Sequence, residues 1–265
     1  MGAMTERRED IHRVFHDVGR VPSPRPAVEF LRAADAMGPI ADYRARLRGH
    51  LAPRAGETVL DVGCGLGTHA AAIAAERAAA GAPGPVVGLD RQAMIDRAGD
   101  VPGVEWLVGA AEALPRADDS VDAVLAERVL MYVDDVPAVI GEMTRVLRPG
   151  GRIALFELDY AAMVLGGDPK VADEVLAVVC GTVSCDRMGR SLGPLLTSAG
   201  LRVVEQLPVA LPIPPPVWAA AVRAPVDDAV ADGRLDPERT AQWLAELGAP
   251  GAWPGSVTGV LACGV

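Results

Sequence analysis

Along most of the chain, apolar residues come in short blocks that switch between two periods. Near-continuous apolar runs at 58–62, 86–90, 104–108, 121–126 and 151–157 have the length and β-branched content of strands covered on both faces. Between them, alanine-rich or helically spaced stretches at 67–80, 91–97 and 136–147 read as helices. The alternation predicts parallel strands joined by right-handed crossovers. GAPGP at 81–85 ends the first sheet-flanking helix. Helices at 169–180 and 189–199 lead to a strand at 201–206, and SVTGVLACG near the end reads as a final strand beside it.

Two stretches fall outside this alternation. Residues 6–19 and 27–51 read as helices ahead of the sheet, parted by the turn-forming VPSPRP. In the second, Phe30, Leu31, Ala34 and Met37 recur at helical spacing, and most of them are expected to be packing. Residues 207–251 interrupt the last strand pair: PVALPIPPPVW is too proline-rich for a central strand, and helices at 216–232 and 236–247 look like an inserted cap. The expected organisation is an N-terminal helical segment, 1–50, that contributes to a lid, followed by a main domain, 51–265, with the cap at about 207–251.

The chemistry concentrates in VLDVGCGLGT, residues 59–68. An apolar strand carrying Asp61 runs into Gly63, Gly65 and Gly67, where the backbone can bend sharply and approach a ligand closely. A helix follows, so strand, turn and helix N-terminus form a ligand cradle at the carboxyl end of a sheet. The dinucleotide fingerprint would need a third glycine at 68, where this chain has Thr68. VVGLD places Asp90 at the end of the next strand, where a ribose-binding carboxylate belongs.

The G-x-G-x-G spacing behind Asp61 closely resembles motif I of the class I S-adenosylmethionine-dependent methyltransferases. EWLVGAAEALP (105–115), DDSVDAVLAERVLMYVDD (118–135) and EMTRVLRPGGRIALFE (142–157) follow in that family's order. The resemblance covers about residues 40–205 and is closest to the ubiquinone/menaquinone-biosynthesis type and its natural-product relatives. It implies an α/β fold, a doubly wound, seven-stranded, mostly parallel sheet whose last strand is antiparallel. It implies S-adenosylmethionine as cofactor and S-adenosylhomocysteine as product. By the same resemblance Gly63, Cys64, Gly65, Gly67 and Thr68 pass under the methionine and ribose parts, and Asp61 orients the amino group. Asp90 would accept from the ribose hydroxyls, Arg91 lie against adenine, Ala111 and Glu112 fall in the adenine loop, and Glu127 and Arg128 line the methionine end.

Two departures stand out. The adenine loop reads Gly109-Ala110-Ala111-Glu112 where many relatives have aspartate in place of Ala110, which removes one acceptor, worth about 0.5–1.5 kcal/mol. After the fourth strand, where many relatives carry histidines, this chain has Met131 and Tyr132. Tyr132, Glu157, Asp159 and Tyr160 at strand ends and His16 on the N-terminal helix are the residues left to act on a substrate, Glu157 and Asp159 sharing one side of their strand by alternation.

Composition narrows the alternatives. With 265 residues, half of them hydrophobic, the chain can bury a sizeable core. A net charge of −10 without a Lys/Arg cluster argues against nucleic acid. No apolar run reaches about 18 residues and the start lacks a hydrophobic signal core, so no membrane association and a cytoplasmic location are expected. Cys180 and Cys185 have no partner set for zinc, and His12 and His16 at i, i+4 lack a companion acid motif, so no metal is expected. The expected reaction is methylation of O, N or C on a small organic molecule, in bacterial secondary metabolism or quinone-like chemistry. A cyclase that holds the same cofactor without transferring its methyl group, and a non-catalytic binding protein, remain alternatives, and a homodimer stays open.

Overall fold

A computed structural model describes residues 10–16, 18, 20–21, 23–249, 251–253 and 255–265. Seven strands form one sheet in the order β3-β2-β1-β4-β5-β7-β6. They are β1 (Val59–Val62), β2 (Val86–Asp90), β3 (Val104–Val108), β4 (Val121–Glu127), β5 (Leu147–Leu165), β6 (Val203–Pro212) and β7 (Gly255–Gly264). The first five run parallel to their neighbours, and β7 is antiparallel to both β5 and β6. Strand order reverses between β1 and β4, and ligands bind in the crevice that such a reversal opens at the carboxyl ends of the strands.

Helices α4 (Thr68–Ala79), α5 (Gln92–Ala98), α6 (Val136–Val146), α7 (Pro169–Cys180) and α8 (Met188–Ser198) flank the sheet. Ahead of it lie α1 (Ile11–His16), α2 (Arg25–Asp35) and α3 (Gly38–Leu51), and the cap consists of α9 (Pro215–Ala231) and α10 (Pro237–Leu247). Part of the helix expected over 6–19 lies outside the described residues. The expected single helix over 27–51 is two: the chain turns at Ala36 and extends at Met37, and Pro39 sits in the first turn of α3, where its missing N–H costs nothing.

The strand before the cap is longer than expected. β6 continues through Pro208 to Pro212, so the insertion begins after Pro212 and not at 207. The proline argument holds for central strands, but β6 is the sheet edge and pairs on one side only. β5 likewise runs past 157 to Leu165, paired with β7 as far as Gly255. The cap tryptophans pack on one another: Trp218 and Trp243 meet edge to face at 5.9 Å, and the Trp243 indole donates to the Gly166 carbonyl at 2.9 Å.

An aromatic stack docks α3 on the sheet. Tyr43 of α3 lies flat on Phe156 of β5, ring centroids 3.7 Å apart and planes 5° from parallel. On β7, a Cβ at Gly259 would lie 2.0 Å from the Phe156 ring. Gly259→Ala therefore overpacks a filled site and is expected to cost about 1–3 kcal/mol of stability in urea denaturation. A change below about 0.5 kcal/mol would show that Phe156 has room to move.

Candidate active site

The turn after β1 bends because three of its residues adopt left-handed backbone, Gly63 at φ +68°, Gly65 at +58° and Gly67 at +74°. At Gly63 a Cβ would also lie 2.4 Å from the Val129 side chain, so only glycine fits there. Asp90, at the end of β2, holds the turn: its carboxylate accepts from the Gly65 N–H and from the Arg91 N–H, both at 2.7 Å. Burial raises the Asp90 carboxyl, against those two N–H groups and the Arg91 charge.

Gly63, Gly65, Asp90, Arg91, Ala111, Glu112, Glu127 and Arg128 line one cavity of about 160 Å³, roughly ten times the room one water needs. Leu89, Met94 and Leu31 give its β2 side an apolar wall. Arg91 and Glu112 face each other at 3.7 Å across its mouth. Four expected cofactor residues are not among the walls. Asp61 is buried behind the turn, 2% exposed, with Oδ2 unpartnered, and burial next to Glu127 raises its carboxyl well above the usual range. Cys64 packs inward near Gly88, and burial raises its thiol. Gly67 abuts the Trp106 ring, and the Thr68 hydroxyl donates to Asp35 at 2.8 Å.

Glu127, at the end of β4, is the charged centre of the site. Its carboxylate accepts from the Tyr43 hydroxyl and, at 2.7 Å, from Arg44 Nε; His69 lies 3.4 Å away and Arg128 Nε 3.2 Å. Arg44 also donates to Asp35 at 2.7 Å. Burial alone would raise the Glu127 carboxyl, but Arg128, His69 and Arg44 together hold it well below the usual range. Arg128 occupies left-handed backbone at φ +56°, and its Nε is buried without a hydrogen bond.

The opposite end of the cavity is aromatic: Phe15 of α1, Phe30 of α2, Tyr132 in the 3-10 turn Leu130–Tyr132, and Tyr160 of β5. Phe15 lies 5.3 Å from the Tyr132 ring and 6.1 Å from that of Phe30. Tyr132 and His12 meet through Oη and Nδ1 at 3.1 Å.

Residues 60–155 match the family model described as a methyltransferase domain. Those residues carry a methyltransferase domain. The chain is 31% identical over 218 residues to an uncharacterized 37.1 kDa protein in transposon TN4556 of Streptomyces fradiae, covering 76% of this chain and 61% of that protein. It is 33% identical over 160 residues to an arsenite methyltransferase of Halobacterium salinarum, covering 58% of this chain and 39% of that one. It thus spans about six-tenths and two-fifths of these relatives' lengths. A putative methyltransferase from Bacillus halodurans shares the fold, with a TM-score of 0.60 at 18% identity over 83% of this chain and 97% of the other.

The residues expected to act on a substrate separate clearly. Tyr132 and His16 are on the cavity wall, His16 with Nε2 3.3 Å from Asp134. Tyr160, read from the same strand end, is there too. Glu157 and Asp159 are not. Glu157 is fully buried, and its Oε1 accepts from the Val129 and Leu130 N–H groups at 2.7 Å, which fixes the turn that presents Tyr132. Asp159 is held by the Arg190 guanidinium at 2.6 and 2.7 Å and anchors α8. Alternation places both on one side of β5, but that side faces protein. Phe30 and Leu31 line the cavity, Leu31 also packing against Val18, Val28 and Met94, and Phe15, His12, Tyr43 and Arg44 join the site with no motif to mark them.

Burial pushes the Glu157 carboxyl up to about 7 from 4.5, against the backbone N–H groups it accepts from. Its contribution to stability is full below the unfolded value and is lost as pH rises through about 7. Glu157→Gln keeps an oxygen for the turn and removes that loss. The melting temperature of the variant should therefore gain on that of the parent between pH 5 and pH 8. A pH-independent difference would contradict the burial argument.

Proposed function

We propose that this protein is an S-adenosylmethionine-dependent methyltransferase acting on a small organic molecule. The observation that carries the reading is Asp90, a wall carboxylate fixed beside a glycine turn by two backbone N–H groups. Each of its oxygens keeps lone pairs for a ribose hydroxyl. Leu89, Met94 and Leu31 offer an apolar seat for adenine next to Ala111 and Glu112. Arg128, buried with Nε free of hydrogen bonds, suits the carboxylate of the amino-acid end. Asp61, one layer behind with an unpartnered oxygen, acts on the amino group only through the turn or through water.

The cofactor supplies an electrophilic methyl group on a sulfonium. The protein's part is to hold an acceptor in line with that methyl carbon and to exclude water, and such positioning is worth on the order of 7–11 kcal/mol. The acceptor end, walled by Phe15, Phe30, Tyr132, Leu158 and Tyr160, suits an organic molecule. The arsenite named for the Halobacterium relative fits it less well, because soft ligands are wanted and none of the four cysteines is on the wall. Secondary-metabolite or quinone-like acceptors are the class we favour.

Calorimetry with S-adenosylhomocysteine tests the reading. The parent protein should bind it, and Asp90→Ala should weaken binding by about 10- to 100-fold, the equivalent of about 1.5–3 kcal/mol for a charge-assisted hydrogen bond. Absence of uptake by folded parent protein at millimolar ligand would overturn it. Labelled methyl that stays on the cofactor while an acceptor is rearranged would favour the cyclase reading instead.

A further inference from the structure

His12 and Tyr132 form a hydrogen-bonded line that begins on the cavity wall and ends in buried protein. Tyr132 and Tyr160 are both on the wall. Tyr132 Oη lies 3.1 Å from His12 Nδ1. His12 is 1% exposed, its ring edge-on to Tyr160 at 5.6 Å. His12 Nε2 is buried with no hydrogen-bond partner, and in the tautomer that carries its hydrogen on Nε2 the ring accepts from the Tyr132 hydroxyl at Nδ1. Burial lowers His12 from its usual value, outweighing the charge of Asp10, so the ring is neutral near pH 7 and able to take a proton.

Resting on the methyl-transfer reading, we infer that the acceptor is an aromatic hydroxyl compound whose proton leaves through Tyr132 to His12. The aromatic walls, Phe15, Phe30, Tyr132 and Tyr160, suit a flat ring, and a phenolic oxygen laid among them meets the Tyr132 hydroxyl. In the transfer, the acceptor's proton passes to Tyr132 Oη as the Tyr132 proton moves to His12 Nδ1. The acceptor oxygen bonds to the methyl carbon of the sulfonium donor, and the carbon–sulfur bond breaks with its electron pair left on sulfur. One positive charge leaves the donor and one arrives on His12, which returns the proton through Tyr132 to water once the product has left the cavity. Tyr132 is then a catalytic residue, and His12 acts through it. The charged and titratable groups facing this line are Asp10 ahead of α1, Arg128 beside the turn, and Glu157 and Tyr160 of β5.

The test uses phenol and 4-nitrophenol at pH 8 with labelled S-adenosylmethionine. Phenol still carries its proton there and needs the relay, whereas 4-nitrophenol is mostly ionised. Tyr132→Phe and His12→Gln should each lower kcat on phenol by about 10- to 100-fold, with the KM for S-adenosylmethionine unchanged. On 4-nitrophenol both variants should run nearly as fast as the parent. An independent readout is the imidazole 15N spectrum of His12 in the ligand-free protein. An unprotonated Nδ1 whose resonance moves in Tyr132→Phe supports the relay, and a proton on Nδ1 overturns it. Equal losses on both phenols, or label in neither phenol while S-adenosylhomocysteine still binds, overturn the inference as well. Failure to bind S-adenosylhomocysteine at all would instead sink the cofactor reading on which it rests.

Discussion

The buried carboxylate of Glu127 is the interaction on which the rest of this site depends. It lies at the carboxyl end of β4, where the strand order reverses, and it gathers Tyr43 and Arg44 of α3, His69 of α4 and its own neighbour Arg128. A carboxylate so placed is tolerable only when paired, and removing one partner of such a pair typically costs about 3–5 kcal/mol. Satisfying it therefore dictates where α3 sits. Arg44 reaches on to Asp35, and Asp35 accepts from Thr68 at the start of α4, so the same knot ties α2 to the glycine turn.

That tie explains how a sheet common to many chemistries becomes one particular pocket. The half of the cavity built on strand ends, Gly63, Gly65 and Asp90, is local to β1 and β2 and rigid through backbone hydrogen bonds. The other half borrows Phe15 and Phe30 from helices that have no place in the sheet. α2 packs on α3, which is clamped at once by Glu127 and by the Tyr43–Phe156 stack, and α1 packs on α2. Glu157 does the same from below by fixing the turn that carries Tyr132. The two halves of the cavity thus rest on different parts of the chain, joined through buried charge.

The sequence was legible where the constraint is local. A glycine turn between an apolar strand and a helix, with Asp90 at the next strand end, has one sensible reading, and the alternation of strands and helices sets the topology up to β5. What it hid is long-range. The helical spacing of Phe30 and Leu31 says that the face is covered, but not that a cavity covers it. Period-2 alternation places Glu157 and Asp159 together, yet only the fold reveals that the Val129–Leu130 backbone and Arg190 occupy them. Pro208 and Pro212 argue correctly against a central strand and are silent about an edge. The histidine looked for after β4 is absent there, and His12, some 120 positions earlier, stands behind Tyr132 instead.

Hydrogen–deuterium exchange on Glu127→Gln tests the central claim most directly. The glutamine keeps the shape and removes the charge that holds Arg44 and Arg128. The account predicts that amides of α2, α3 and residues 63–67 exchange faster in the variant, while those of β1, β4 and β5 keep their protection. Unchanged protection in α2 and α3 would contradict it, because the N-terminal helices would then be held without the Glu127 knot.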